Sequence, residues 1–210
     1  MLYTFPRLLA GGASGLAEDA SGAIYGFDFT EVFKLTPSSS GYAFSVLYTL
    51  TGHTGKFIAG PPLIDSNGTI YGTAVQSGDL KCATRGCGTV FDVVPTKDGY
   101  AANILHEFTG PPSDGMYPIG GVVMNKGSLY GVTIEGGAHK RGIVYKLART
   151  KGGYTERVLH DFHSTIRDGV YPEAGLVTDP SGKLYGTTID GGGNGCYYGD
   201  GCGMVFEITP

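Results

Sequence analysis

Short runs of alternating apolar and polar residues recur along the chain and predict β-strands. Four of these runs share the pattern Val, aromatic, polar, aliphatic, at residues 32–35, 90–93, 144–147 and 205–208. Half-buried strands show such alternation because successive side chains point to opposite faces of a sheet. The pattern therefore indicates four equivalent strands.

A second pattern, an aliphatic residue followed by Tyr-Gly, precedes each of these runs and marks an internal repeat. Its tyrosines are Tyr25, Tyr71, Tyr130 and Tyr185, spaced by 46, 59 and 55 residues. Repeats of about 40–50 residues are typical of four-stranded propeller blades. Each repeat predicts antiparallel strands a, b, c and d, with an Asx-Gly turn between a and b and a turn ending in Gly-Tyr between c and d.

The fourth repeat ends before its strand d, and the start of the chain supplies a matching segment. Residues 2–5, Leu-Tyr-Thr-Phe, resemble residues 47–50, Leu-Tyr-Thr-Leu, in the first strand d. We therefore predict an all-β fold, a four-bladed β-propeller that forms a single domain over residues 1–210. Its N-terminal strand is predicted to close the C-terminal blade. The predicted repeats cover approximately residues 6–50, 51–108, 109–162, and 163–210 plus 1–5.

The closing strand can act within one chain or between two chains. Closure within one chain gives a four-bladed ring with no exposed sheet edge and no need of a partner, and we favour this monomer. Exchange of the N-terminal strand between two chains would give an eight-bladed homodimer instead. The sequence leaves both arrangements open.

Several motifs of the repeat resemble the tandem GloVer repeats of large bacterial extracellular proteins. They are Leu-Tyr-Gly-Thr-Thr at residues 184–188, Gly-Gly at 191–192, Gly-Thr-Val-Phe at 88–91, Leu-His-Asp-Phe at 159–162 and Asp-Gly-Val-Tyr-Pro at 168–172. The resemblance covers essentially the whole chain, although the first repeat lacks both the long loop between strands b and c and the Asp-Gly-x-Tyr-Pro segment. It implies a propeller-like, often secreted or surface-attached protein, and it brings no established activity and no catalytic residues.

Composition and charge narrow the range of partners. The formal net charge is -4 and the pI is about 5.7, with no run of Lys or Arg, so nucleic acid is not an expected partner. No apolar run approaches the roughly 18 residues that span a bilayer, and the first residues lack the pattern of a secretory signal. We expect a soluble, extracellular or periplasmic protein whose leader is not present in this chain.

The four cysteines form two pairs at equivalent places directly before strand c, Cys82 with Cys87 and Cys196 with Cys202. This placement predicts two local disulfides that staple glycine-rich loops. A four-cysteine zinc site is the alternative, but its usual Cys-x2-Cys spacing is absent. Disulfides would indicate an oxidising compartment. No metal and no cofactor are expected, because no nucleotide-binding, nucleophile-elbow or zinc-protease motif is present.

The strand order determines which loops share a face. In an antiparallel meander the a–b and c–d turns lie on one face, and the b–c and d–a connections lie on the other. The long loops are all of the second kind, at residues 52–60, 78–88, 110–120, 136–142, 163–174 and 191–203. Tight turns on one face and varied loops on the other commonly separate scaffold from site, so a ligand is expected on this long-loop face. The short b–c loop of the first repeat, residues 27–30, predicts a notch above it.

The d–a loops carry the first candidate ligand-binding residues. Asp114 and Asp168 each open an Asp-Gly-x-Tyr-Pro segment. Their carboxylates can bind sugar hydroxyls or act as acid and base, or they can cap an Asx-type turn. Tyr117 and Tyr171, with Phe57 at the equivalent place, offer stacking platforms for sugar rings or plugs for the core.

Polar residues at the end of strand b, and on the loop that follows it, form the second set of candidates. Glu135 and Asp190 occupy equivalent positions, and Gln76 takes that place in the second repeat. His139 and Arg141 lie on the following loop and could meet an acidic ligand. Loop capping and solvated charge are the structural alternatives. In an enzyme, Glu135 or Asp190 would serve as acid or base and His139 would assist.

The leading hypothesis from the sequence is a secreted or surface-associated binding propeller. Its long-loop face would recognise a carbohydrate or a similar polar polymer. One alternative is a polysaccharide lyase or glycoside hydrolase that uses the same face. Another is a structural module that assembles through exchange of its N-terminal strand. The sequence leaves open whether the chain is an enzyme.

Overall fold

The computed structural model describes residues 13–52, 55–78, 82, 85–163, 168–193 and 201–210, and its regular structure is all β. Blade 1 contains β1 (Ala13–Glu18), β2 (Ile24–Asp28), β3 (Glu31–Ser38) and β4 (Gly41–Thr49). Blade 2 contains β5 (Lys56–Ile64), β6 (Ile70–Gln76), β7 (Thr89–Thr96) and β8 (Gly99–Glu107). Blade 3 contains β9 (Gly115–Asn125), β10 (Ser128–Gly136), β11 (Ile143–Thr150) and β12 (Gly153–Asp161). Blade 4 contains β13 (Val177–Thr178), β14 (Leu184–Thr188) and β15 (Met204–Ile208).

Each blade is an antiparallel sheet whose strands pair in chain order. Blades 1, 2 and 3 have four strands, and the described part of blade 4 has three. The predicted all-β propeller of repeated antiparallel sheets is therefore confirmed. The strand d that we predicted for blade 4 from residues 1–5 lies outside the described residues. Within the described ranges, no helix is long and apolar enough to cross a membrane.

One aspartate holds the turn between strands a and b and also anchors the tyrosine of the Tyr-Gly motif. In blade 1, Asp19 accepts a hydrogen bond from the Ala23 amide at 3.1 Å and another from the Tyr25 hydroxyl at 2.9 Å. The equivalent hydroxyl-to-carboxylate bonds, at 3.2 and 3.3 Å, join Tyr71 to Asp65 and Tyr185 to Asp179. The aspartate thus links the tight turn to the strand that follows it, which is why the two motifs repeat together.

The glycine of the Tyr-Gly motif pairs directly with the aromatic residue of strand c. The four pairs are Gly26–Phe33, Gly72–Phe91, Gly131–Tyr145 and Gly186–Phe206. In blade 3 the ring lies over the glycine so closely that a Cβ on Gly131 would stand 2.6 Å from Cζ of Tyr145. The repeated Tyr-Gly therefore reflects the packing of an aromatic ring against bare backbone.

Neighbouring blades are joined by side chains that recur from one interface to the next. The residue after strand d packs on the strand c aromatic of the following blade. Phe108 meets Tyr145 with ring centroids 5.1 Å apart, and Phe162 meets Phe206 at 5.2 Å. Leu50 takes the equivalent place in the core cluster shared by blades 1 and 2. Each such buried side chain contributes about 1.5–3 kcal/mol relative to an exposed one.

The backbones at strand a of neighbouring blades meet on the inner side of the blades. A Cβ on Gly60 would touch the backbone of Gly120, and a Cβ on Gly120 would touch the backbone of Gly175. Bare backbone is thus needed where blades 2, 3 and 4 approach one another most closely. This contact places strand a of each blade innermost and strand d outermost.

Core packing joins blade 1 to blade 2, blade 2 to blade 3 and blade 3 to blade 4. Among the residues that the structure describes, no such cluster joins blade 4 back to blade 1. Leu16 in blade 1 and Val177 and Val205 in blade 4 are instead exposed. Closure of the ring by the N-terminal strand, which lies outside the described residues, stays a prediction.

Candidate binding face

The antiparallel order of every blade places the b–c and d–a connections on one side, the long-loop face. Two groups of polar side chains lie there. The first, which we call the histidine cluster, consists of His139, His160, Asp161, His163 and Asp168. It is formed by the two long connections of blade 3, after β10 and after β12.

The histidine cluster contains two pairs in which a carboxylate holds an imidazole at Nδ1. The His163 Nδ1 lies 2.8 Å from Asp168, and the His139 Nδ1 lies 3.3 Å from Asp161. The two imidazole rings are 5.4 Å apart, centroid to centroid, and both are about half exposed. The His160 Nε2 lies 3.1 Å from Asp168 on the other side.

Backbone amides fix the two carboxylates of the histidine cluster. Asp161, the last residue of β12, accepts the Ala138 N–H at 2.7 Å, and Asp168 accepts the His163 N–H at 2.9 Å. In the described part of the chain, Nε2 of His139 and of His163 has no hydrogen-bond partner. A neutral imidazole that donates from Nδ1 presents Nε2 as an acceptor, so both rings can bind or accept a proton from a ligand.

Blade 2 shows what is structural and what is special in this cluster. There Asp114 occupies the place of Asp168, is buried, and accepts the Thr109 and Gly115 amides at 2.8 and 2.6 Å and contacts His106 at 3.4 Å. Burial opposes its ionisation, yet the hydrogen bonds, chiefly from His106 and the Thr109 amide, lower the pKa of Asp114. These contacts support the turn-capping role for Asp114.

Two residues of the histidine cluster differ from the residues at the equivalent positions of blade 2. His163 stands where blade 2 has Thr109, and Asp161 stands where it has Glu107. Our sequence interpretation included His139 and Asp168 but missed His163 and Asp161. Alignment of the repeats position by position would have shown that a histidine replaces threonine at that place.

The three repeated aromatics lie at the junctions between blades, and all have left-handed backbone. The φ angles of Phe57, Tyr117 and Tyr171 are 57°, 62° and 57°, which is unusual for bulky residues. The Tyr117 and Tyr171 amides donate to carbonyls of the preceding blade, at Cys87 and Arg141. The shared geometry supports a structural role for the backbone at these positions.

The side chains of these aromatics differ more than their backbones. Arg141 donates a hydrogen bond to the Tyr171 hydroxyl, and its guanidinium carbon lies 5.1 Å from the centre of that ring. Phe57 is 42% exposed and is met edge-on by Phe29, with centroids 4.4 Å apart. Phe57 is therefore the aromatic whose ring is most available to a ligand among those that we predicted.

Phe57 belongs to the second group on this face, a cavity of about 370 Å³ that we call the Phe57 pocket. It lies beside the short b–c connection of blade 1, where we predicted a notch. Its lining is polar and cationic apart from the aromatic ring. The lining residues are Gly52, Lys56, Phe57, Gln76, Ser77, Gly78 and Arg85.

Glu135 and Asp190 hold equivalent places at the ends of strand b, as we predicted. Their carbonyls accept hydroxyl hydrogen bonds from Thr133 at 2.7 Å and from Thr188 at 2.9 Å. Both side chains are half-buried, and in the described ranges neither carboxylate has a hydrogen-bond partner. Of the three residues proposed for an enzyme, only His139 belongs to the histidine cluster.

The predicted disulfide between Cys82 and Cys87 is confirmed, with Cα atoms 4.9 Å apart. It lies beside Gly110 of the neighbouring connection, since a Cβ on that glycine would approach the Cys87 sulfur at 3.5 Å. Cys202 is also disulfide-bonded, whereas Cys196 lies outside the described residues. The described residues contain no group of three or more His, Cys, Asp or Glu side chains placed to hold a metal ion.

One half-buried acid, Glu156, lies away from this face, on strand β12. Burial, with a smaller contribution from the Asp114 carboxylate, raises the pKa of Glu156 from 4.5 to about 7. Its Oε1 is buried and has no hydrogen-bond partner in the described part of the chain. The charged form is thus disfavoured in the folded protein.

Replacement of Glu156 by glutamine is expected to stabilise the protein at pH 8 and to have little effect at pH 5. Because the folded-state pKa is the higher one, the stability of the parent protein falls as the pH rises from about 4.5 to about 7. For this partly exposed group we expect a gain of about 1 kcal/mol at pH 8. Urea unfolding at both pH values measures it, and an equal change at pH 5 would contradict the assignment.

Comparisons with known proteins agree with the fold. A family model described as the Gloeobacter/Verrucomicrobia repeat matches residues 11–210. No curated protein matches the chain. The solved structures that resemble it include β-propeller proteins.

A gluconolactonase of Xanthomonas campestris is 15% identical with a TM-score of 0.54, over 94% of this chain and 62% of that one. A streptogramin B lyase is 15% identical with a TM-score of 0.56, over 99% of this chain and 57% of that one. A chain of a nidogen/laminin complex is 18% identical with a TM-score of 0.53, over 83% of this chain and 56% of that one. The chain spans less than two thirds of each of these proteins, and at such identities the likeness shows the fold alone.

Proposed function

We propose that this chain, which belongs to the Gloeobacter/Verrucomicrobia repeat family, is a binding propeller whose long-loop face recognises an acidic carbohydrate polymer. The observation that carries the proposal is the Phe57 pocket, which combines an exposed aromatic ring with two cations and an amide. Uronic acid residues need these groups together, since their rings stack on aromatics and their carboxylates pair with cations.

The charge of the pocket contrasts with that of the chain. The formal net charge is -4, yet Lys56 and Arg85 line the pocket, and none of the described lining residues is acidic. Gln76 adds an amide that can donate hydrogen bonds to hydroxyl groups and accept hydrogen bonds from them. The pocket is therefore suited to an anionic, hydroxyl-rich ligand.

A polymer is proposed because the polar groups are distributed along the face. The Phe57 pocket lies at the junction of blades 1 and 2, and the histidine cluster lies on the connections of blade 3. Arg141, held by Tyr171, adds a cation at the junction of blades 3 and 4. Separate polar sites on one face suit an extended ligand better than a small one.

The Cys82–Cys87 disulfide supports a location outside the reducing cytoplasm. Acidic polysaccharides are constituents of cell surfaces and their surroundings, so the ligand and the compartment agree. The proposed place of action is therefore the extracellular space or the periplasm.

The charge-removing pair Lys56→Gln with Arg85→Gln is expected to weaken binding to polygalacturonate at least about tenfold. Each hydrogen bond to a charged group contributes about 1.5–3 kcal/mol, so the loss of two is readily measured. Retention on immobilised polygalacturonate, compared with neutral dextran, gives the affinities. Binding should also fall as salt is added.

The matched control removes two cations from the opposite face. Lys97 and Lys151 lie on exposed c–d turns, in blades 2 and 3. The Lys97→Gln, Lys151→Gln protein has the same net charge as the pocket variant and is expected to bind like the parent protein. Equal loss in both variants, or no retention on any acidic polysaccharide, would contradict the proposal.

An enzyme on the same face is the second candidate, and the two Asp–His pairs favour it. One neutral imidazole can take a proton while its protonated neighbour donates one, and the 5.4 Å between the rings allows both to contact one ligand group. Cleavage of a polysaccharide by hydrolysis or elimination needs such an acid and base.

Mass spectrometry of the supernatant separates an enzyme from a binding module. An enzyme would release short products, and the variant His139→Gln, His163→Gln would lose them while it kept binding. The His106→Gln variant is the control, because the half-buried His106 makes the loop contact with Asp114 and lies in blade 2. Retention without products in the parent protein would leave binding as the function.

A further inference from the structure

The face opposite the long-loop face carries the tight turns, and a cavity of about 360 Å³ lies there between blades 3 and 4. Its lining combines residues of the two a–b turns with residues of strands β10 and β11. Three lysines line it, Lys126, Lys146 and Lys183, and none of the described lining residues is acidic. We call this cavity the turn-face pocket.

Blade 3 lacks a carboxylate that the other three blades have in the a–b turn. In blades 1, 2 and 4 the turn aspartate lies six positions before the tyrosine of Tyr-Gly and accepts its hydroxyl hydrogen bond at 2.9, 3.2 and 3.3 Å. The turn of blade 3 is one residue shorter, because Asn125 pairs with Ser128 across it and lies five positions before Tyr130. Asn125 donates to the Gly182 carbonyl of blade 4 at 3.0 Å instead.

Loss of the aspartate leaves the Tyr130 hydroxyl unpaired. Tyr130 is only 3% exposed, and it lines the turn-face pocket. Among the residues that the structure describes, its hydroxyl has no hydrogen-bond partner. Burial of an unpaired hydroxyl is unfavourable, so a ligand atom that accepts its hydrogen bond would be stabilised there.

The positive charge beside the tyrosine is kept although the carboxylate is lost. In blade 1 the Lys34 ammonium lies 4.8 Å from the centre of the Tyr25 ring, and Asp19 accepts a hydrogen bond from that tyrosine. In blade 3 the Lys146 ammonium lies 5.4 Å from the centre of the Tyr130 ring, and no described carboxylate bonds to that tyrosine. Blade 3 therefore has the cation of blade 1 without its anion.

Two of the three lysines carry a charge that no described carboxylate balances. In the described ranges neither Lys126 nor Lys146 forms an ion pair, whereas Lys183 pairs with Glu207 at 2.7 Å. Asp179, the aspartate of the blade 4 turn, is held within that turn by the Lys183 amide at 2.9 Å. The pocket thus combines two unpaired ammonium groups with an unpaired hydroxyl, and all three can donate hydrogen bonds.

We infer that the turn-face pocket binds a phosphate monoester. Such a group carries about −1.5 to −2 charges at pH 7, which matches the two unpaired lysines. Its oxygens accept hydrogen bonds, so one of them can take the place of the missing turn carboxylate at the Tyr130 hydroxyl.

The size of the turn-face pocket leaves room for the organic part of the ligand. Its volume of about 360 Å³ lies within the range of about 300–1,000 Å³ that is typical of small-molecule sites. The site is on the face opposite the one proposed for the acidic carbohydrate, and the inference does not depend on that proposal.

Isothermal titration calorimetry of the full chain with glucose 6-phosphate tests the inference. The parent protein is expected to bind it, and to bind glucose and glucuronate at least about tenfold more weakly, because they lack the doubly charged group. The Lys126→Gln, Lys146→Gln variant is expected to lose at least about tenfold in affinity. The Lys97→Gln, Lys151→Gln variant has the same net charge and is the matched control, because both of its lysines are exposed on c–d turns.

Two tyrosine substitutions separate a binding role from a structural one. Tyr130→Phe removes a hydroxyl that has no partner in the described part of the chain, so it is expected to weaken binding about tenfold and to leave the urea midpoint unchanged. Tyr71→Phe removes the hydroxyl that donates to Asp65, so it is expected to lower the urea midpoint and to leave binding unchanged.

The possible outcomes are distinguishable. Absence of glucose 6-phosphate binding would overturn the inference. Binding that neither the lysine pair variant nor Tyr130→Phe weakens would also overturn it, because the ligand would then lie elsewhere. Inorganic phosphate that binds as tightly as glucose 6-phosphate, with the same dependence on the lysines, would support the phosphate site and show that the phosphate group alone is recognised.

Discussion

Replacement of Phe91 by alanine is expected to lower the free energy of unfolding by about 3–5 kcal/mol. Phe91 has no exposed surface, and its ring meets that of Phe27 from blade 1, with centroids 5.7 Å apart. It also lies opposite Gly72, so the residue paired with it on β6 has no side chain that could fill the cavity. The loss would be a large part of the 5–15 kcal/mol typical of a folded domain.

Urea unfolding followed by circular dichroism measures this effect. The control is Ile104→Ala on the neighbouring strand β8, where the parent side chain is exposed and a loss below about 1 kcal/mol is expected. If both variants lost the same small amount, the packing between blades 1 and 2 would not be a tight core, and the interblade account would be wrong.

The second large effect is expected from Gly120→Ala, at the inner junction of blades 3 and 4. Gly120 has φ +78°, and a Cβ there would stand 2.6 Å from the Gly175 Cα and 2.9 Å from the Ala174 carbonyl carbon. Backbone strain and overpacking each cost about 1–3 kcal/mol, so we expect a loss of about 3 kcal/mol or more.

Gly127→Ala separates the two causes of that loss. Gly127 has nearly the same φ, +75°, but a Cβ there would meet nothing within 4 Å. Its substitution therefore reports backbone strain alone, about 1 kcal/mol. Thermal unfolding of both variants gives the comparison, and equal losses would show that blades 3 and 4 do not approach as closely as described.

The repeat made the fold predictable. The strand c pattern recurs because the aromatic ring packs over glycine in all four blades, and the Tyr-Gly motif recurs with a tyrosine hydroxyl on the turn aspartate in blades 1, 2 and 4. Strand order, the long-loop face and the Cys82–Cys87 disulfide followed from the same repetition. Contacts between residues of the same repeat recur with the repeat, so they are the ones that the sequence pattern predicts best.

The candidate site was predicted less completely, because its geometry depends on contacts across loops. The position of Asp114 in its motif was clear, but its burial and its bonds to Thr109 and Gly115 are set by tertiary packing. The pairing of His139 with Asp161 joins residues on different connections, which spacing alone does not reveal. The left-handed backbone at Phe57 could not be predicted either, because a phenylalanine rarely adopts that conformation.

The repeat also explains why closure of the ring was harder to predict than the blades. A blade needs only its own strands, whereas the final interface depends on what meets blade 1 at Leu16 and blade 4 at Val205. Alternation along a strand shows that a face is apolar, but it does not show which molecule covers that face.

Hydrogen–deuterium exchange with and without an acidic oligosaccharide tests the central claim, that the long-loop face binds the ligand, most directly. We predict slower exchange in the loops at residues 55–60, 76–78, 85–88 and 136–142 when oligogalacturonate is present, and unchanged exchange in the tight turns at 19–22, 65–68, 125–127 and 179–182. Protection confined to the tight turns would contradict the account.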